Sequence, residues 1–346
     1  MTNPDVSFAT LTRPEKAHDL CCIGTALIDY VSTADLEVVA SLGIEPGAMT
    51  LIDGATATTI RSALGEGRLV PGGTVANTAA GVASLGGSPI FVGAIANDDL
   101  GERYASDLQA TGIRAVLERI PASGPDAVGT GACYVIVTPD SQRTMATNLG
   151  VSGQLHATTI DVSTVGSAEF VYFDGYLLDF PDSAAIVDRI IEVASRSATK
   201  VALGLADPFV VDRHFDRLRV LVKLVDVLFS NEAEAKALTG AVTVDEAVRS
   251  LHHPGGVSIV TCGPAGARII SDEGALSIQA VPVAEVVDVT GAGDLFAAGV
   301  CFGLSHGLTV EGAGNLGALC ASEAIGHFGA RPVTSLETLA SDAGLI

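Results

Sequence analysis

The carboxylate of Asp294 closes the run Thr290-Gly291-Ala292-Gly293-Asp294, the stretch of this chain whose residue types and spacing point most directly to chemistry. Before it, Val286, Val287 and Val289 are β-branched and predict the end of a buried strand. After it, Leu295-Phe296-Ala297-Ala298 opens an apolar, helix-compatible run. A strand, a glycine turn and a helix start aim free backbone N–H groups at an anion, and the two glycines let a phosphate approach the backbone closely. A carboxylate there would repel a resting phosphate, so its presence calls for a reason. It serves if it takes the proton from a hydroxyl that attacks the phosphorus held by the neighbouring amides. The helix N-terminus is expected to lower its pKa, leaving it charged but weakly basic. That suffices for phosphoryl transfer, where positioning and charge stabilisation outweigh strong basicity. The competing role for an Asp at this place is an ordinary helix N-cap.

Other positions can hold a polar ligand. Asp19–Ile28, DLCCIGTALI, is expected as a buried first strand running into a glycine turn, with Asp29 just past it. Ligands of open α/β sheets bind beyond the carboxyl ends of strands, although an ordinary turn aspartate looks the same in sequence. Gly72 and Gly73 open a helix of small residues with Asn77 about one turn in; close helix–sheet packing explains the same composition. Asn231 and Glu234 are three apart on a helix face after a strand, a spacing that suits a hydrated Mg²⁺. A capping box from Ser230 fails because position 233 is Ala, while Glu in a first turn also suits the helix dipole. Thr261, Gly263 and Gly266 form a turn that would sit over a nucleotide or serve as a turn only. Arg143, on one of the expected short strands, has the residue type of a solvated strand charge. The run Gly312–Gly317, GAGNLG, matches GxGxxG but follows no strand, and no GxxxxGK[ST] exists, which excludes a P-loop kinase.

The elements that must position these residues alternate between strand and helix along most of the chain, which indicates an α/β fold with a mostly parallel, doubly wound sheet. The rhythm breaks between about Ile113 and Gly150. There Val116–Ile120, Ala132–Val137 and Arg143–Thr147 are expected as short antiparallel strands forming a small β-layer, a lid that would exclude water on closing. Strands resume at Phe170–Phe173, Lys200–Leu205, Val225–Phe229 and Ser258–Cys262, the last returning as a hairpin through Arg268–Ile270. Residues 1–18 mix Pro, Thr and charge without periodicity and are expected to be a flexible tail.

Forty acidic against 19 basic residues give a net charge of −21, which argues against binding nucleic acid or an anionic membrane through bulk electrostatics. The six cysteines show no zinc spacing and sit mostly in apolar runs, as free thiols in a reducing compartment do. The first residues lack the apolar core of a signal peptide, and no apolar run is long enough for a bilayer, so a cytoplasmic location is expected.

From Asp19 to Pro332 the chain resembles the ribokinase-like (PfkB) carbohydrate and nucleoside kinases, with the motifs in the family's order. The resemblance implies a three-layer α/β/α kinase domain over residues 19–346, with a small β-sheet lid drawn from about 30–60 and 113–150. It implies amides of Gly291, Ala292 and Gly293 as the anion hole and Asp294 as the base. Asp29, Gly72, Gly73 and Asn77 would hold the sugar, and Asn231, Thr261, Gly263, Gly266 and Asn315 would serve ATP. Glu234 would serve Mg²⁺, and a monovalent cation, K⁺, near Asp288 is left open. Gln142–Gly150, QRTMATNLG, and His327–Pro332, HFGARP, are similar to the adenosine-kinase-like branch, in which Arg143 would reach the transferring phosphate. The implied activity is ATP-dependent phosphorylation of a primary hydroxyl on a ribose-like substrate, with adenosine first. A ribokinase- or fructokinase-type sugar kinase, or another nucleoside kinase, is the alternative. The expected partner is a small nucleoside or sugar, and the protein a monomer or homodimer. A noncatalytic binding protein would keep the fold without phosphate transfer. A NAD-dependent oxidoreductase would need a glycine fingerprint after the first strand, which here ends in IGTALID.

Overall fold

The structure, a computed structural model, describes residues 16–47, 49–122, 128–138 and 143–346. Most of the expected tail, and Gln142, lie outside the described residues. At the tail's inner end, Lys16 Nζ donates to Gly166 O and Ser197 O at 2.6 and 2.8 Å, and His18 already belongs to the first strand.

In chain order the strands are β1 (His18–Ile23), β2 (Leu27–Thr33), β3 (Met49–Leu51), β4 (Arg68–Gly72), β5 (Pro89–Ala96), β6 (Arg114–Ile120) and β7 (Thr130–Val137). They continue as β8 (Arg143–Gly150), β9 (Ala168–Asp174), β10 (Lys200–Gly204), β11 (Val227–Asn231), β12 (Val257–Thr261), β13 (Ala267–Ser271) and β14 (Gly274–Ile278). A nine-stranded sheet runs β14-β13-β12-β11-β10-β9-β1-β5-β6, parallel from β12 to β6 and antiparallel only at β13 and β14. Its central strands are apolar on both faces because helices cover both; every residue of β5 is buried. Alternation along β1 sends Leu20 and Cys22 into one core and Cys21 and Ile23 into the other, which makes three layers. One core packs under helices Thr74–Ser84, Ala292–Ser305 and Val310–Ala324. There the GAGNLG glycines have a packing role, since a Cβ on Gly299 would stand 2.7 Å from the Gly317 Cα.

A second, five-stranded sheet has the order β3-β8-β7-β2-β4 and its own core, built around Tyr30, Val39, Ile60, Tyr134 and Ile136. Three expectations are corrected here. The first strand is two strands: the chain leaves the main sheet after Gly24, where Ala26 N donates to Ser152 Oγ (3.1 Å) and Ser152 Oγ donates to Ala26 O (2.7 Å). Asp29 therefore stands within β2, opposite Val70 and Cys133, rather than just beyond a main-sheet strand. Arg114–Ile120 belongs to the main sheet, parallel to β5, because the helix Asp99–Ala110 carries the chain back to that edge. Within the lid, β2–β7 and β3–β8 are parallel, and only β7–β8 and β2–β4 are antiparallel. No helix among the described residues is long and apolar enough to cross a membrane.

Candidate active site

The site lies where the carboxyl ends of the main-sheet strands face the lid. A cavity of about 180 Å³ is lined there by, among others, Thr74, Asp174, Asn231, Glu234, Thr261 and Asp294. Asp174, Asn231 and Thr261 end β9, β11 and β12, as expected for ligand positions of a parallel sheet.

The Thr290–Asp294 turn starts the helix Ala292–Ser305, as its sequence suggests, but no strand precedes it. Val286, Val287 and Val289 are exposed, and the Val287 N–H donates to Ile325 O at 2.8 Å, a helix-end carbonyl rather than a strand partner. Gly291 is the N-cap at φ 79°, and a Cβ there would lie 2.5 Å from the Ala330 Cα, so both conformation and space demand glycine. Asp294 occupies the third helical position and makes no capping bond, which removes the capping role. Its Oδ2 instead accepts from Asn77 Nδ2 at 2.9 Å, across from the helix Thr74–Ser84, and its Oδ1 accepts nothing among the described residues.

The charge of Asp294 departs from expectation. Burial pushes its pKa up to about 7; the Asn77 hydrogen bond opposes this, and the neighbouring Asp174 and Asp29 carboxylates add to it. Desolvation outweighs the helix N-terminus, so a carboxyl at this place is better matched to taking a proton near neutral pH than the local motif suggests.

Asp29 is likewise raised to about 7 by burial, against the pull of Arg331 and Arg143. A Cβ on Gly72 would come within 2.4 Å of both Asp29 carboxylate oxygens, so that glycine makes room for the side chain. Gly73 takes φ 94°, and a Cβ there would meet Thr25 O at 2.5 Å. The structure thus brings Asp29, Gly72, Gly73, Asn77 and Asp294 together from the five-stranded sheet and two helices.

Asn231 and Glu234 do form a capping box, one residue later than the Ser230 register excludes. Asn231 Oδ1 accepts from Glu234 N at 2.9 Å, and the Glu234 oxygens accept from Asn231 N (2.9 Å) and Nδ2 (2.6 Å). Glu234 is only 5% exposed, and burial raises its pKa to about 7, helped by Asp207 and Asp174. Thr261 lines the cavity, with its Oγ1 on Ser230 O at 3.3 Å. Gly263, Gly266 and Asn315 do not line it. The first two shape the β12–β13 turn, and Asn315 sits on the helix Val310–Ala324.

Arg143 begins β8 and is not a solvated charge. Its Nη2 is 2.6 Å from Asp288 Oδ2, and its Nη1 donates to Thr290 Oγ1. Asp288 also accepts from Thr290 N (3.0 Å) and Gly329 N (2.9 Å), and these bonds hold its pKa below the usual range despite burial. A lid residue is thereby tied to the turn that starts the helix Ala292–Ser305.

Sequence reasoning missed two site residues. Asp174 is buried, accepts from Thr74 Oγ1 and from Tyr176 N (3.1 Å), and is raised by burial to about 6. Its signal was available, an aspartate ending an apolar strand. Arg331 approaches Asn77 from the opposite side to Asp294, and nothing local to the sequence announces that contact.

No group of three or more metal-ligating side chains occurs among the described residues. Glu234 and Asp174 nevertheless line one cavity as buried carboxylates that burial keeps short of compensating charge. That donor set fits a hydrated divalent cation held partly through water and phosphate oxygens better than a closed protein cage.

A cavity at the strand ends under a β-lid, with a carboxylate beside a helix N-terminus in a three-layer α/β/α fold, is an arrangement suited to phosphoryl transfer. The family model for pfkB family carbohydrate kinases matches residues 17–338, and the chain belongs to that family. It is an enzyme that transfers phosphate to an alcohol acceptor, and it falls in the adenosine-kinase-like branch. A probable sugar kinase of Rhizobium etli CFN 42 is 33% identical, with 96% of this chain and 100% of that chain covered at a TM-score of 0.89. The adenosine kinase of Sinorhizobium meliloti is also 33% identical, covering 94% and 99% at a TM-score of 0.87. Adenosine kinase of Saccharomyces cerevisiae is 24% identical over 90% of this chain and 95% of its own.

Proposed function

We propose that this enzyme transfers the γ-phosphate of ATP to a primary hydroxyl of a ribose-like substrate, with adenosine as the first acceptor. The observation that carries the reading is Asp294, with one oxygen free, beside a helix N-terminus in the cavity shared by the strand ends. Asp29 and Asn77 hold sugar hydroxyls. Asp294 takes the hydroxyl proton as that oxygen bonds to the γ-phosphorus; the bond from phosphorus to the β–γ bridging oxygen breaks, and ADP leaves. The N–H groups of Gly291, Ala292 and Gly293 face the developing negative charge, and Arg143 meets it from the lid. Asn231 and Thr261 border the ATP side, with Gly263, Gly266 and Asn315 farther out. Glu234, with Asp174, would hold Mg²⁺, which when bound neutralises phosphate charge. The K⁺ considered near Asp288 has no part in this proposal, because the Arg143 guanidinium already neutralises that carboxylate.

The reading includes a cytoplasmic enzyme acting on a small molecule as a monomer or homodimer; the six free cysteines support a reducing compartment. The likeness to the Rhizobium etli sugar kinase favours a free sugar as the second reading. An ADP-release assay with MgATP against adenosine, guanosine, inosine, ribose and fructose decides between them. Strong turnover on adenosine is expected; turnover on ribose or fructose alone moves the enzyme to the sugar reading. ATP binding with no turnover on any of the five defeats the proposal.

A further inference from the structure

The carboxamide of Asn77 is held between two opposite charges. On one side its Nδ2 donates to Asp294 Oδ2 at 2.9 Å; on the other its Oδ1 faces Arg331 Nε at 3.4 Å. Arg331 is anchored away from the site by Nη1, which donates to Asp107 Oδ2 near the end of the helix Asp99–Ala110. Asn77 is 5% exposed, so water does not readily replace either neighbour. A half-turn of the amide would set its NH₂ against the guanidinium N–H and its carbonyl against the Asp294 carboxylate. Both contacts would then be between like poles. A cation and an anion therefore fix the orientation jointly, although the Arg331 contact is long for a hydrogen bond.

We propose that Arg331 is a positioning residue for the transfer reaction: through the Asn77 carboxamide it keeps the Nδ2 donor on one oxygen of Asp294 and leaves the other free to take the acceptor's proton. The inference rests on Asp294 being the base. A second observation supports a role beyond packing. Arg331 Nη2 is buried with no partner among the described residues, an arrangement that costs stability and persists where a site requires it. Without Arg331 only the Asp294 contact holds the amide, its turned form is more populated, and a carbonyl against the carboxylate disfavours the charged form.

The groups that share this environment are few. Asp294 is faced by Asp174 from β9, Asp29 from β2 and Asn77 from its helix, with Tyr172, Tyr176 and Cys22 farther off. Arg331 is faced by Asp107, Asp29 and Tyr104. Asp29 and Asp174 raise the Asp294 pKa, and the Asn77 donor lowers it. Loss of that donor moves the titration upward.

The test needs no substrate. Ligand-free protein carrying ¹³C-carboxyl aspartate is titrated, and the Asp294 resonance is identified as the one missing from Asp294→Asn. In Arg331→Met its midpoint is expected to rise by about one unit, the worth of one hydrogen bond to a charged group. Arg331→Lys should restore most of the shift, and Asp107→Ala, which loosens the anchor without touching the site, should give a smaller rise. An unmoved midpoint in folded Arg331→Met overturns the proposal. If that variant does not fold, an unmoved midpoint in Asp107→Ala does so. Failure of the base assignment is a different result: near-normal turnover in Asp294→Asn, whatever the titration gives.

Discussion

Replacing Glu234 with Gln removes a buried charge while keeping the length and shape that the capping box uses. In the wild type, burial lifts the Glu234 pKa from 4.5 to about 7. The folded pKa lies above the unfolded one, so this group's full contribution to stability is present below pH 4.5 and is lost as pH climbs toward 7. At 1.36 kcal/mol per unit, the loss is about 3 kcal/mol. Gln escapes it, but its NH₂ meets the Asn231 N–H or Nδ2, which forfeits one hydrogen bond worth about 1 kcal/mol. The variant should therefore be more stable than wild type by about 2 kcal/mol at high pH and lose that advantage at low pH. Urea unfolding without nucleotide or metal, at about pH 5.5 and about pH 8.5, avoids the low solubility expected near the pI of 4.5. Between those conditions the difference should move in favour of the variant by about 2 kcal/mol. Added Mg²⁺ should stabilise wild type and leave Glu234→Gln nearly unchanged, while the variant's turnover needs at least tenfold more Mg²⁺. A stability difference that is the same at both pH values would refute the buried-charge account. Equal stabilisation by Mg²⁺ would remove Glu234 from the metal site.

Asp294→Asn should keep the fold and nucleotide binding while turnover falls by about 10²–10⁴-fold; in wild type, turnover should rise with pH through about 7 as this carboxyl loses its proton. Steady-state rates across pH check both. Gly73→Ala forces a side chain into φ 94° and against Thr25 O, and should cost about 2 kcal/mol or more in denaturant unfolding. Arg143→Met leaves the buried Asp288 without its cation, for a loss of about 2 kcal/mol, and should reduce kcat more than it raises the KM for the acceptor.

How much of this was legible in the sequence depends on how far each feature reaches. The helix start at Gly291, the glycines before Asn77 and the αβ alternation are local, and the chain carries them within a few residues. Strand partners are not local. The Arg114–Ile120 pattern announces a strand but not which sheet it joins, and Val286, Val287 and Val289 have strand chemistry without a neighbouring strand to pair with. β-propensity describes fit to a half-buried pleated surface, so three valines laid on the outside of the molecule satisfy the pattern and form no strand. Arg331 and Asp107 are brought together by the fold across 224 positions, and no motif spans that distance.

The charge of Asp294 departs from its local motif for the same reason, and the consequence reaches the chemistry. A helix N-terminus acts within its first turn, whereas desolvation sums over everything packed around the carboxyl. Asp29, Asp174, Glu234 and Asp294 gather from different elements, and burial raises all four. Such a cluster is costly by itself in a chain of net charge −21 that must also admit a polyphosphate. The positive side is supplied locally, by the helix N-terminus at Gly291–Gly293, by Arg143 from the lid and by Arg331 behind Asn77. Each is held by a side chain or backbone from another part of the molecule. A metal held at Glu234 would supply what these leave unmet, so cation and phosphate should bind together more tightly than either alone. Nucleotide affinity that is indifferent to Mg²⁺ would break that account.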